Sequence, residues 1–207
     1  MRGKDKRSEL RARIVKVASD LYLRQGIKRV TMDDVAHALR ISKRTLYEVF
    51  REKEELVIDC VKLQRQEFQK QVDEFHSQGS NVLESTLKTI HFAMRQYTET
   101  SKLFFDDVNI YPQVKELMLK DRENKREASL AYFKLGVEQG LFLPDLDYDI
   151  IATLNDYQTR MLMENTSFKG HSITLVAETI LLTFLRGIVT DKGRQILDNF
   201  YQEHHQQ

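Results

Sequence analysis

The sequence predicts an all-α protein of about nine to ten helices, with a three-helix amino-terminal head followed by a larger helical body. Three observations carry that expectation. Only two prolines and eight glycines interrupt 207 residues, so the backbone has few forced breaks. Apolar residues recur at steps of three and four along most of the chain, the spacing of one-sided helices. No convincing stretch alternates polar and apolar residues as a half-buried strand would. A composition of 41% hydrophobic and 30% charged residues is that of a folded globular chain, long enough for one large domain or two small ones.

In chain order, Leu10, Ile14, Val17, Ala18, Leu21 and Tyr22 predict a first helix over 8–24, and Gly26 fits its stop. T-M-D-D at 31–34 opens a short second helix. Thr31 can cap it, Asp33 and Asp34 suit its first turn, and Val35, Ala36 and Leu39 form its apolar face. Ser42 caps a third that carries Leu46 and Tyr47; Leu46 and Phe50 read as core. A long fourth helix starts near Glu52 and shows Leu56, Val57, Val61, Phe68, Val72 and Phe75 before Gly79. Helices follow over 82–99, in a short apolar piece around 103–108, and from Pro112, well placed in a first turn, to 138. Gly140 and Pro144 close that segment. Two more, over 147–164 and 172–189, are separated by Gly170; a last piece covers 191–201, and the QEHHQQ tail is expected to fray.

Several function classes drop out. One cysteine, Cys60, permits no disulfide framework and no cysteine-based zinc site within one chain. The most apolar run, 173–189, is broken by Thr174, Glu178, Thr183 and Arg186, and so is no membrane span. The basic start MRGKDKRSEL lacks the apolar stretch of a secretory signal, so a cytoplasmic protein is expected. Asp145, Asp147 and Asp149 alternate like the start of a calcium loop, but Ile150 stands where glycine is needed and Asp156 where glutamate is. Acids at a helix start account for them better. His204 and His205 lack partnered ligand spacing, and no phosphate loop, nucleophile elbow or H-E-x-x-H is present. No catalytic residue, metal or cofactor is expected.

The formal net charge of +1 conceals a division. Residues 1–53 carry +8 and the remaining chain −7. A basic head on an acidic body is the footprint of a phosphate-binding module joined to something else. The two short helices, joined through Leu39-Arg40-Ile41 with the small Ala36 where they cross, match a helix-turn-helix, whose second helix enters the major groove of DNA.

The stretch V-T-M-D-D-V-A-H-A-L-R-I-S-K-R-T-L-Y-E-V-F-R-E-K-E-E-L, residues 30–56, resembles the TetR family of bacterial transcription regulators. The resemblance covers 8–56, and G-V-E-Q-G-L-F-L-P-D-L-D at 136–147 resembles the family's junction before its dimerisation helices. It implies a DNA-binding domain over 1–55 and a ligand-binding and dimerisation domain over 56–207. It further implies that Thr31, Ser42, Thr45, Tyr47 and Lys53 touch phosphates, while Lys43, Arg44 and Thr45 face base edges. The chemistry of the side chains agrees. Lysine and arginine donate to guanine O6 and N7, threonine packs on a thymine methyl, and tyrosine reaches a phosphate over a sugar.

Three positions depart from the family's pattern. Arg40 stands where the turn usually has glycine, and a left-handed conformation there costs about 1 kcal/mol. Arg44 replaces a small residue. Glu48 brings a negative charge that can accept from cytosine N4 or pair with Arg44 or Arg51, and the pair is favoured.

The expected partners are a palindromic duplex, a second copy of the chain and a small apolar or amphipathic ligand. The dimer is assigned to the apolar helix over 172–189, through Ile173, Val176, Ile180 and Phe184; the alternative is a helix buried within one subunit. Ligand candidates are Phe68, His91, Phe92, Tyr97, Phe104, Tyr157 and Met161, each of which can equally be core. The reading is a repressor released from its operator by that ligand. A body that binds a protein partner instead, or an all-α enzyme with an incidental basic head, are the alternatives.

Overall fold

The computed structural model describes residues 2–78, 81–108, 110–164 and 170–204, apart from the side chains of 2–5, 115, 118–126, 159–160, 162–164, 173 and 204. Among the described residues the chain is all-α. Its ten helices are α1 (Arg2–Gln25), α2 (Met32–Leu39), α3 (Lys43–Val49), α4 (Lys53–Ser77), α5 (Val82–Glu99), α6 (Lys102–Val108), α7 (Pro112–Glu138), α8 (Tyr148–Glu164), α9 (Ile173–Ile188) and α10 (Asp191–His204). An isolated antiparallel bridge joins Phe142 and Val189. No helix is long and apolar enough to cross a membrane among these residues.

Two compact units divide the chain, one of residues 1–71 and 96–120, the other of 72–95 and 121–207. The first is built around the buried face of α1. Ile14, Ala18 and Tyr22 are fully buried, together with Val35 of α2, Leu46 of α3, Phe50 beyond it, and Leu56 and Val57 of α4. Val108 of α6 and Val114 of α7 join the same cluster. Each such large side chain contributes about 1.5–3 kcal/mol on burial, and α1 supplies the surface on which the shorter helices fold.

Local chemistry sets the ends of the short helices. Thr31 and Asp34 form a reciprocal capping box at the start of α2. At its other end Arg40 takes the left-handed conformation (φ 54°, ψ 41°), with Arg40 N–H donating to His37 O and Ile41 N–H to Ala36 O, both at 3.0 Å. That is a Schellman closure with arginine where glycine is usual. The Ser42 hydroxyl accepts from Thr45 N–H at 3.0 Å and so opens α3. Gly26 ends α1 at φ +84°, and a Cβ there would lie 2.7 Å from Leu103 Cβ of α6, so both its conformation and its space demand glycine.

In the second unit Leu83, Leu87, Phe133, Leu141, Phe142, Leu185 and Leu197 are buried together. The G-L-F-L-P stretch runs beside the end of α9: Leu143 N–H donates to Ile188 O and Thr190 N–H to Leu141 O, each at 2.9 Å. Asp147 Oδ1 accepts from the N–H groups of Asp149 and Ile150, so this acid caps α8.

Two boundaries differ from expectation. The first helix begins at Arg2, not near residue 8, and α10 continues to His204, with residues 205–207 outside the described set. The early turns of α1 carry charge and no apolar spacing, so periodicity gives no sign of them.

Replacing Arg40 by glycine removes the left-handed penalty at the turn. The Arg40→Gly variant should therefore unfold at a higher urea midpoint, by about 0.5–1 kcal/mol with an unchanged slope. A lower midpoint would show that the arginine side chain itself holds the turn.

Candidate nucleic-acid interface

The exposed side of α3 is the candidate site. Seven residues make a helix too short to persist alone, since isolated helices below about 12–15 residues are marginal in water. Three supports hold it. Leu46, Val49 and Phe50 bury its inner side. Ser42 caps its start, with the Ser42 and Thr45 hydroxyls 2.8 Å apart. At its end two arginines of α1 take the carbonyls that a helix terminus leaves open: Arg7 Nη2 donates to Glu48 O at 3.0 Å and Arg11 Nη1 to Val49 O at 3.2 Å.

Arg11 does more than cap. Its guanidinium also donates to Asp59 Oδ2 at 3.0 Å and Glu55 Oε1 at 2.9 Å, and lies 4.2 Å from the centre of the Phe50 ring. One side chain thus joins α1, the end of α3 and the first turns of α4. Burial acts to raise the Glu55 carboxyl, but hydrogen bonds from Arg11 and from Arg51 N–H outweigh it and hold the group below its ordinary value. Sequence reading did not single out Arg7 or Arg11 as partners of α3, because no local pattern links residues about forty positions apart.

On the outward side Lys43 and Arg44, two of the three residues expected at bases, are presented to solvent, while Thr45 is half-buried. The Lys43 side chain is 60% exposed and that of Arg44 89%. Tyr47 is 41% exposed, which separates it from the buried Leu46 on the same helix and Phe50 just beyond it. Lys43 Nζ lies 2.9 Å from the Asp33 carboxylate, and Arg44 Nε lies 3.0 Å from Glu48 Oε1. The pairing of Glu48 with Arg44 is the favoured one of the two arrangements the sequence allowed.

The hydroxyl residues are already engaged: Thr31 in its capping box, Ser42 and Thr45 with each other and the start of α3. Lys53 turns inward more than its place in the first turn of α4 suggested. Its ammonium donates to Ile27 O, lies 5.9 Å from the centre of the Tyr22 ring, and is held below the ordinary lysine value by burial.

Beside the loop that precedes α2, Asp107 of α6 is a buried carboxylate. It accepts from Lys28 N–H at 2.7 Å, with Lys28 Nζ 3.8 Å away. Ser101 N–H donates to Leu23 O at 2.8 Å. The first unit therefore ties α6 to the end of α1 and the loop after it at two polar points, in addition to the Gly26–Leu103 approach.

The ligand candidates separate. In the first unit Tyr97 stacks on Phe105 with ring centres 4.4 Å apart, Phe104 meets Phe105 edge-on at 5.7 Å and packs against the head's core, and Phe68 is half-buried on α4. In the second unit Phe92 meets Phe75 edge-on at 6.0 Å, and Met161 is half-buried. His91 is exposed, its ring edge-on to Phe200 at 6.3 Å. Tyr157 is 61% exposed.

Of the dimer candidates, Val176 is buried within its own chain, Ile180 and Phe184 are half-buried with Phe184 packed near Phe133, and the Ile173 side chain lies outside the described residues. The larger exposed apolar surface is on α8, where Ile150, Leu154 and Tyr157 are each at least half exposed. Their spacing of four and three places them on one helix face, a sign present in the sequence that total apolarity alone passes over.

The sequence model of the bacterial regulatory proteins of the tetR family matches residues 14–60. No curated protein matches the chain. Solved structures do. A transcriptional regulator from Saccharomonospora viridis in complex with choline is 21% identical, with a TM-score of 0.67 over 88% of this chain and 99% of that one. A TetR-family regulator from Cytophaga hutchinsonii is 16% identical, with a TM-score of 0.67 over 90% and 98%. A gamma-butyrolactone receptor, an ArpA-like protein, is 19% identical, with a TM-score of 0.60 over 97% and 98%. At these identities the likeness is one of fold.

Hydrogen bonds from the Thr31 hydroxyl and backbone N–H hold the Asp34 carboxyl below its ordinary value. A carboxyl depressed on folding contributes stability above its unfolded pKa, about 3.9, and that contribution is lost as pH falls through the folded value. Urea midpoints measured from neutral pH downward should therefore fall below about pH 4, and more shallowly in Asp34→Asn than in the wild type. Equal acid slopes would remove the capping box from the account of stability.

Proposed function

We propose that the chain, whose residues 14–60 match the bacterial regulatory proteins of the tetR family, is a dimeric, sequence-specific DNA-binding transcription regulator acting in the cytoplasm. The observation that carries the proposal is the outward side of α3, where Lys43, Arg44 and Tyr47 stand in solvent on a helix capped at both ends. In this reading 1–55 is the DNA-binding domain and 56–207 the ligand-binding and dimerisation domain. Lys43, Arg44 and Thr45 read base edges from the major groove. Thr31, Ser42, Tyr47 and Lys53 hold phosphates, Lys53 with the ammonium hydrogens that Ile27 leaves over.

One head reads one half-site, so a second copy is needed for a palindrome. The α8 stripe of Ile150, Leu154 and Tyr157, with Leu175 of α9 also half exposed, gives that copy apolar surface to cover. On α9, Ile173, Val176, Ile180 and Phe184 stay in this reading as further candidates for the interface, Ile180 and Phe184 being half-buried and Val176 buried. The effector is a small apolar or amphipathic molecule, a size class consistent with the choline complex and the gamma-butyrolactone receptor that share the fold.

Within the first unit, a ligand against Tyr97 or Phe104 is close in sequence and packing to α6, whose Asp107 holds the loop before α2, and Phe68 of α4 is the remaining candidate there. His91, Phe92, Tyr157 and Met161 are the candidates in the second unit. Ligand would favour a spacing of the two heads that no longer fits grooves one helical turn, about 34–36 Å, apart, and so release a repressor from its operator. No catalytic step enters this reading.

Selection of bound duplexes from a random pool is the test: a palindromic consensus should emerge. Binding to it should weaken steeply with salt, with a slope of about 0.9 per phosphate neutralised. Lys43→Ala should lose about 1–3 kcal/mol of discrimination at one base pair of each half-site. Flat salt dependence, or no enriched sequence, would overturn the DNA reading.

Leu154→Glu tests the dimer separately. A charge in the middle of the stripe should shift sedimentation from dimer to monomer and abolish palindrome binding, while helicity is kept. An unchanged dimer would place the interface elsewhere.

A further inference from the structure

We propose that Asp33 and Glu48 are specificity-determining residues: they occupy the two base-reading cations of α3 in the free protein, so that a duplex offering only phosphates binds poorly and one offering the right base edges displaces them. The proposal rests on the DNA-binding reading above and deepens it by assigning a role to two acids on the recognition surface.

The geometry is specific. Both carboxylate oxygens of Asp33, on α2, lie 2.9 Å from Lys43 Nζ, the first residue of α3. Glu48 Oε1 lies 3.0 Å from Arg44 Nε. Lys43 and Arg44 are the two cationic residues of α3, and both are matched. Pairing is not a general property of the head's surface, because Arg40 in the turn between the two helices has no ion pair among the described residues.

Asp33 suits the first turn of α2 but is not required there, and helix stability argues against Glu48. The start of α2 is already closed by Thr31 and Asp34, so Asp33 is not needed as a cap. Glu48 sits in the last turn of α3, where the helix dipole disfavours a negative charge. Its pair with Arg44 also runs in the weaker order, since an acid four residues before a base is the better arrangement. Both acids stay exposed, so neither is fixed by burial.

The consequence for binding is a difference between two kinds of duplex. Approach to any DNA brings the acids toward phosphates and asks Lys43 and Arg44 to exchange a carboxylate for a phosphate oxygen, one charged acceptor for another, with little net gain. Where guanine O6 and N7 are in place, a two-point contact becomes available that the carboxylate does not match, and the exchange becomes favourable. The acids thus lower non-specific affinity more than specific affinity, the repulsive element that discrimination between partners requires.

The test uses the full-length dimer, a duplex taken from the selected pool and a scrambled duplex of the same length and composition. Asp33→Asn and Glu48→Gln should each tighten the scrambled duplex about 3–10-fold more than the selected one, and steepen its salt slope by about 0.9. The gain from Asp33→Asn should vanish in a Lys43→Ala background, and that from Glu48→Gln in an Arg44→Ala background, as a double-mutant cycle reads directly. Equal tightening on both duplexes, an unchanged affinity, or the same gain without the partner cation overturns the proposal, because the acids would then act only as bulk charge. Failure of the wild type and every variant to bind either duplex is distinguishable from these, and overturns the DNA reading together with the role given to the acids.

Discussion

A helix of seven residues cannot hold its own shape, and much of the head's architecture follows from that constraint. Nucleating one turn fixes several dihedrals for one hydrogen bond, so α3 depends on contacts from outside itself. It receives them on three sides. Leu46 and Phe50 sink into the cluster built by α1 and α4, the Ser42 hydroxyl closes the first turn, and Arg7 and Arg11 close the last. The early start of α1 has its reason here. A first helix that began near residue 8 would lack Arg7, and the Glu48 carbonyl would lose a partner. Arg11 carries the largest share, because the side chain that caps α3 also pairs with Glu55 and Asp59 at the start of α4.

Electrostatics on this head are local. The +8 of residues 1–53 suggests a uniformly attractive field, yet its members have different work. Arg7 and Arg11 serve backbone and carboxylates inside the head, and Lys53 serves the Ile27 carbonyl. Lys43 and Arg44 are held by acids on the surface. Counting charge locates the head; only geometry distinguishes the cations that build it from those turned outward.

Short-range chemistry was readable from residues alone. The caps at Thr31 and Ser42, the left-handed Arg40, the buried Leu46 and Phe50 beside an exposed Tyr47, and nearly every helix boundary follow from propensity, capping and spacing. Contacts across long sequence separations were not readable. Arg11 meets Val49 and Glu55, and Asp107 meets Lys28, across dozens of residues with no periodic pattern to announce them. The α8 stripe was legible in principle. Ile150, Leu154 and Tyr157 obey helical spacing, but total apolarity points to α9 and only accessibility shows which apolar residues the chain leaves uncovered.

Asp107 shows how the first unit couples the helix-turn-helix to α6. A carboxylate with only 6% of its surface exposed is costly unless its oxygens are satisfied, and here the Lys28 backbone N–H supplies the closest bond. Lys28 precedes α2 by only a few residues, so that bond helps fix where the helix-turn-helix begins. The same short helix carries Leu103 against Gly26, and Phe104 and Phe105 near Tyr97. A displacement of α6 therefore cannot leave the loop unaffected. It must stretch a buried charge-assisted bond, press on a glycine that has no room for even a methyl group, or carry the loop with it. Of these the last costs least, because a loop yields where a packed core does not. Within the first unit the position of α6 and the start of α2 are in this way linked through Asp107 and Gly26.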